Sequence, residues 1–138
     1  MIYEVKVQHK KVMDDGSEKS VKESYVIAEA ESFADAEQQA FEYMQGVGFE
    51  EADVIAVKRS NVKEIANKSQ GENTLWVAEL MDVFLEDDGT EKQLKYKIFL
   101  FAKTFDAAKL FITDYSAQGY GMTLVSLKLT NHVDVIGG

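Results

Sequence analysis

Cysteine and proline are both absent from this chain of 138 residues. Without cysteine there is no disulfide framework, zinc–thiolate site, thiol nucleophile or dithiol redox chemistry. That usage fits a reducing compartment, and a cytoplasmic location is the expectation. Without proline there is no Pro-rich linker or polyproline ligand. Positive charge is scarce: 15 Lys and Arg stand against 24 Asp and Glu, for a net charge of -9. An acidic surface repels phosphate backbones and anionic head groups, so neither nucleic acid nor a membrane is an expected partner. Met1-Ile2-Tyr3-Glu4 lacks the basic and apolar regions of a signal peptide. No apolar run approaches the roughly 20 residues of a membrane span. The longest, Ile98-Phe99-Leu100-Phe101-Ala102, has the length of a strand.

What is present is a repeat. Asp14-Asp15-Gly16-Ser17-Glu18-Lys19 returns as Asp87-Asp88-Gly89-Thr90-Glu91-Lys92, with one hydroxyl residue exchanged for another. Around each copy the chain alternates apolar and polar residues. Tyr3, Val5 and Val7 alternate with Glu4, Lys6 and Gln8, the period of a half-buried strand. Asp-Asp-Gly supplies hairpin-turn chemistry. A return strand follows over residues 21–28, with Glu23 as a charged exception on its apolar face. Ser32 then caps a helix whose inward stripe is Phe33, Ala36, Ala40 and Met44. Gln45-Gly46-Val47-Gly48 ends it, and Val54-Ile55-Ala56-Val57-Lys58 is a third strand.

The second half repeats this order. Trp76, Ala78 and Leu80 match Tyr3, Val5 and Val7; Thr104-Phe105 matches Ser32-Phe33. The helix over 105–116 turns Phe105, Ala108, Ile112 and Tyr115 or Ser116 inward. Gln118-Gly119-Tyr120-Gly121 repeats the helix end, and residues 124–131 repeat the third strand. The expected architecture is α+β: two tandem ββαβ repeats with pseudo-twofold symmetry, a mainly antiparallel sheet and two helices on one face. The expected divisions are a first repeat over 1–62, a linker over 63–73 and a second repeat over 74–138. A unit of about 60 residues buries little core alone, so the two are expected as one compact unit.

With the repeat laid out, a family resemblance emerges. Tyr3-Glu4-Val5-Lys6-Val7, Val21-Lys22-Glu23-Ser24-Tyr25-Val26 and Ser32-Phe33-Ala34-Asp35-Ala36-Glu37 resemble an uncharacterised domain-of-unknown-function family. It comprises small proteins of Bacteroides-type bacteria and their phages. Members show Thr-Glu-Pro-Tyr-Leu-Val and then Ser-Phe-Thr-Glu-Ala-Glu. Here Ser24 replaces the proline and Ala34-Asp35 replaces Thr-Glu. Residues 57–65 are similar to the family's Ile-Lys-Arg-Ala-Asn-Tyr-Ser-Glu-Ile. The resemblance implies no activity and transfers no catalytic residue.

Residues that could carry chemistry read more simply as structure. Asp14-Asp15 and Asp87-Asp88 lack the ligand spacing of a calcium loop and serve as turns. His9 and His132 do not repeat, and each is expected at a strand edge or the surface rather than in acid–base work. The Gly-x-Gly motifs follow helices, whereas a phosphate loop precedes one. Lysines interleaved with Tyr3, Tyr25 and Tyr96 could contact single strands, but interspersed acids favour a lysine-guarded edge. No catalytic, cofactor or metal residue is assigned, and no cofactor is expected.

The repeats differ on one sheet face. Val77, Glu79, Met81, Val83 and Leu85 stand where the first repeat has Glu4, Lys6, Gln8, Lys10 and Val12. The return strand carries Phe99 and Phe101 on a stretch apolar on both faces. Such a strand is either central within its own domain or covered by a partner. Val77, Met81, Val83, Leu85, Phe99 and Phe101 are therefore the candidate interface. The expected function is a non-enzymatic binding or interaction protein, phage-associated and self-associating as a homodimer or higher. The alternatives are a small-ligand binder for a nucleotide signal, held between repeats or subunits, and a small metal- or carboxylate-dependent enzyme.

Overall fold

Alternation builds the first strand, β1 (Tyr3–Val12), with Tyr3, Val5, Val7 and His9 turned to one side. In the computed structural model, which describes residues 1–49, 51–67, 74–118 and 122–137, the chain divides into two units. The first spans Met1–Ser60 together with the segment from Asn131 onward; the second spans Asn61–Thr130.

In the first unit β1 turns into β2 (Glu18–Ile27), then α1 (Phe33–Gly46) and β3 (Asp53–Arg59). The fourth strand of its sheet, β8 (His132–Ile136), comes from the far end of the chain. The order is β3-β1-β2-β8, antiparallel except for the parallel pair β2–β8. The second unit holds β4 (Val62–Ile65), β5 (Thr74–Leu85), β6 (Glu91–Ala102), α2 (Phe105–Ala117) and β7 (Thr123–Leu129). Its order is β4-β6-β5-β7, with β4–β6 as the parallel pair. The α+β reading and the repeated strand–strand–helix–strand order hold, as two four-stranded sheets with one helix each. β4 and β8 are further strands: β4 lies where the first repeat was read to end, and β8 falls in the tail. Of the stretch 63–73, residues 68–73 lie outside the described residues.

The turns set the register. Gly16 and Gly89 have φ of 82° and 84°. In each hairpin the residue before the Asp-Asp pair bonds to the hydroxyl residue, Met13 N to Ser17 O at 2.7 Å and Glu86 N to Thr90 O at 2.9 Å. Only glycine takes that left-handed conformation without a Cβ penalty.

Both helices start on hydroxyl caps. Ser32 Oγ accepts from Asp35 N at 3.0 Å, and Thr104 Oγ1 accepts from Ala107 N at 3.1 Å. Helix α1 ends in a Schellman motif: Phe49 N bonds Met44 O at 2.9 Å and Gly48 N bonds Gln45 O at 3.1 Å. The left-handed glycine is Gly48 (φ 96°), with Gly46 still inside the helix. The matching Gly119-Tyr120-Gly121 lies outside the described residues.

Each core is the inner face of a sheet against its own helix. Tyr3, Val5, Val7, Tyr25 and Ile27 meet Ala36, Ala40 and Met44. Trp76, Ala78, Leu80, Ile98 and Leu100 meet Ala108 and Ile112. Alanine on the helix lets helix and sheet approach closely. Phe33 and Phe105, expected on the inward stripes, are instead exposed at the helix starts, where Phe33 stands edge-on to Tyr3 at 5.2 Å and Phe105 edge-on to Trp76 at 5.9 Å.

A Gly89→Ala chain is expected to lose about 1–2 kcal/mol of stability in urea unfolding. Open space surrounds the added methyl, so the loss is conformational rather than steric. A loss of only a few tenths would show that this turn does not depend on a left-handed residue.

Candidate functional site

The β5–β6 hairpin is longer than the strands beside it. Pairing to β7 stops at Met81, and pairing to β4 begins at Lys97. Among the described residues, Asp82–Leu85 and Glu91–Leu94 therefore pair only with each other, in the register Asp82↔Leu94 to Leu85↔Glu91. A two-stranded ribbon has neither a third strand nor a helix to bury its side chains. Leu85 is 71% exposed, Leu94 53% and Phe84 43%. Phe84 and Leu85 line a hollow of 430 Å³ with Glu86, Asp87 and Asp88.

The structure grades the six candidate interface residues along this hairpin. Phe99, at its base, is 2% exposed. Val77 lies opposite it in the register, and Val77 and Phe101 are half-buried. Met81 and Val83 are half-buried further out, and Leu85 is exposed at the tip. The base of β5–β6 is thus the central strand pair of its sheet, which accounts for the doubly apolar Ile98-Phe99-Leu100-Phe101. The tip has no such account. Phe84 and Leu94 belong to it as well; Phe84 sits at the position of Lys11 in the first repeat, a contrast already visible in the alignment of the halves, whereas Leu94 matches the apolar Val21.

The first unit carries a polar cleft instead. On the face of the sheet away from α1, a hollow of 310 Å³ is lined by Glu4, Lys6, Ser24, Ala56, Lys58 and His132, among others. His132 Nε2 lies 2.8 Å from Glu4 Oε1. The hydrogen bond from His132 holds the Glu4 carboxyl below the usual carboxylate range, against the opposing effect of burial and with help from Lys58. An ionised Glu4 can only accept, so His132 Nε2 carries the proton and donates. His132 stands on the edge strand β8, as expected, and the pair reaches across β2 to β1.

His9 is buried rather than on the surface, at 3% exposed. Its Nε2 meets Glu23 Oε1, and the Phe49 ring lies 4.1 Å from its own. The charged exception on the apolar face of β2 thus has its partner on β1. Inward positions so close in register could have suggested the pair. Beside it, burial and then the Glu23 charge push the Tyr25 hydroxyl up to about 12. Tyr3 and Tyr25 face the core, so they form no stacking platform with the lysines, whose side chains project from the other face or the ribbon.

The acidic turns fold their carboxylates onto themselves. Asp15 Oδ1 accepts from Ser17 N at 2.9 Å and Ser17 Oγ at 2.5 Å; Asp88 Oδ1 accepts from Thr90 N at 3.0 Å and from the Thr90 hydroxyl. These bonds lower the pKa of both. No group of three or more His, Asp or Glu is placed to hold a metal ion among the described residues. Among them, too, no helix is long and apolar enough to cross a membrane.

Compared with known proteins, residues 1–137 match the family model described as Domain of unknown function (DUF4494). No curated protein and no solved structure matches the chain.

The Glu4–His132 bond has a pH signature. A carboxyl depressed in the folded state stabilises fully above its unfolded value, near 4.5, and the contribution fades as pH falls through the folded value. Glu4→Gln is expected to cost about 1–2 kcal/mol in urea unfolding at neutral pH. Below pH 5 its stability should fall less steeply than that of the unaltered chain. Parallel profiles for the two would show that Glu4 does not titrate against His132.

Proposed function

The chain belongs to the DUF4494 family, and we propose that it is a non-enzymatic interaction protein that associates through the apolar tip of its β5–β6 ribbon. One observation carries this reading. The first repeat builds the same hairpin and turn with Lys10 and Lys11 where the second has Val83 and Phe84. The duplication is an internal control: folding the ribbon does not require apolar residues there. Exposed apolar side chains that the fold does not need favour a partner surface.

The partner favoured is a second copy of the chain. The tip presents apolar side chains on both faces, Met81, Val83 and Leu85 on one and Phe84 and Leu94 on the other. The resemblance of residues 3–7, 21–26 and 32–37 to small proteins of Bacteroides-type bacteria and their phages supports a phage-associated setting.

A second reading rests on the polar cleft. Lys6, Lys58, the Ser24 hydroxyl and His132 surround one carboxylate, a donor set suited to a phosphate-bearing small ligand such as a nucleotide. Native mass spectrometry of freshly purified protein would favour this reading if a mass corresponding to such a ligand is retained, and count against it if the bare chain alone appears.

Val83→Lys with Phe84→Lys gives the second ribbon the character of the first. Surface changes of this kind are expected to shift stability by no more than about 0.5 kcal/mol. Sedimentation over a range of concentrations should show self-association in the unaltered chain and a monomer in the variant. If the unaltered chain sediments as a monomer throughout, the ribbon does not join copies.

A further inference from the structure

Each unit completes its sheet with a strand from beyond its own repeat. β4 follows the first repeat directly yet pairs with β6; β8 follows the second repeat directly yet pairs with β2. The two pairings share two equivalent positions. Ser24↔His132 and Val26↔Val135 in one correspond to Lys97↔Val62 and Phe99↔Ile65 in the other, each parallel and each with a register shift in between.

The strands that fill these slots share little sequence but the same points of attachment. Each carries an acid, Asp134 or Glu64, followed by an aliphatic residue. In both units the same helix position faces the acid: the Asp134 carboxylate, after burial, raises the pKa of Tyr43 of α1, and Tyr115 of α2 donates to Glu64 Oε1. The next inward residue joins the core, Ile136 in the first unit and Ala66 in the second. A backbone bond closes each slot, Ala28 N to Ile136 O at 3.0 Å and Ala66 N to Phe99 O at 2.8 Å. The slot therefore recognises an extended strand by its main chain, one acid and one apolar side chain. That is strand addition to a sheet edge.

We propose that the slot along β2 is an exchangeable strand site, filled in a second assembly state by residues 132–136 of another copy of this chain. The slot is already served from a distance, since its strand arrives after the whole of the second unit. The connection is short: Thr130 is fixed in the second unit by bonds from its N and Oγ1 to Leu75 O, at 3.1 and 3.0 Å, so Asn131 alone separates it from β8. Exchange between copies keeps every contact within the slot, and a short connecting segment is the setting in which strands are swapped. This surface is distinct from the β5–β6 ribbon.

The chain has no cysteine, so a pair placed across the slot reports its occupant without background. Ser24→Cys with His132→Cys sets thiols on directly paired residues. The assay is run with Val83→Lys and Phe84→Lys also present, so that ribbon association does not contribute. After unfolding, refolding and oxidation, non-reducing electrophoresis should show a disulfide-linked dimer whose fraction rises severalfold from dilute to concentrated refolding. Only intrachain-linked monomer at every concentration would overturn the proposal. Should the cysteine variant not fold, the ribbon variant without cysteines is refolded at high concentration. A dimer that survives dilution during size exclusion is then the expected result, and a monomer alone overturns the proposal.

Discussion

The hydrogen-bonding edge of the second strand in each hairpin is the constraint on which the rest depends. β2 and β6 each pair with a long antiparallel neighbour on one side and would otherwise present a row of unpaired backbone groups on the other. An open, apolar edge invites uncontrolled pairing. Over Ser24–Ile27 and Lys97–Phe99 the edge is covered by a short parallel strand. A parallel strand cannot return through a tight turn; here it arrives from the other repeat. Neither unit completes its sheet with its own repeat alone, so the duplication is a structural requirement as well as a history.

That requirement explains where polar chemistry sits in the first unit. β8 is only five residues long and pairs through a shifted register. Its hold is reinforced on both faces. Inside, Ile136 enters the core and Asp134 meets Tyr43. Outside, His132 donates across β2 to Glu4 on β1. An ionised carboxylate with a directed donor is worth more than an exposed pair, and burial of Glu4 is tolerated because His132 and Lys58 favour its charged form. The cleft that could admit a ligand and the clasp that holds the strand share these residues, so occupation of one would bear on the other.

The local elements were legible because their signals are local. Alternation at Tyr3, Val5 and Val7, glycine after Asp-Asp, and hydroxyl caps at Ser32 and Thr104 each act within a few residues, and comparing the halves removed most ambiguity. β4 and β8 were not legible for the opposite reason. Val62-Lys63-Glu64-Ile65 is too short to show a period, and a parallel pairing between Ser24 and His132 leaves no trace in either neighbourhood. His9 was misplaced because a histidine following Val7 reads as the polar end of a strand; its burial depends on Glu23 from the next strand and Phe49 from beyond the helix. Of the six interface candidates, Phe99 was left open between a domain interior and a partner because β4, which pairs with it, was missed.

The two ribbons then separate what the hairpin needs to fold from what it does not. Both have the same turn, with the same glycine conformation and the same aspartate-to-hydroxyl bonds. Both extend past their neighbouring strands. Whatever stabilises the ribbon is therefore common to both copies and lies in the backbone ladder and the turn. Residues that differ between them are free of that task. The first copy spends those positions on Lys10 and Lys11, the usual protection of an edge. The second leaves Val83 and Phe84 there; the exposed Leu85 has an equally exposed counterpart in Val12, so the difference rests on those two positions. Placing apolar groups where lysine serves the fold equally well raises the risk of aggregation, so the needs of the ribbon's own folding do not account for Val83 and Phe84.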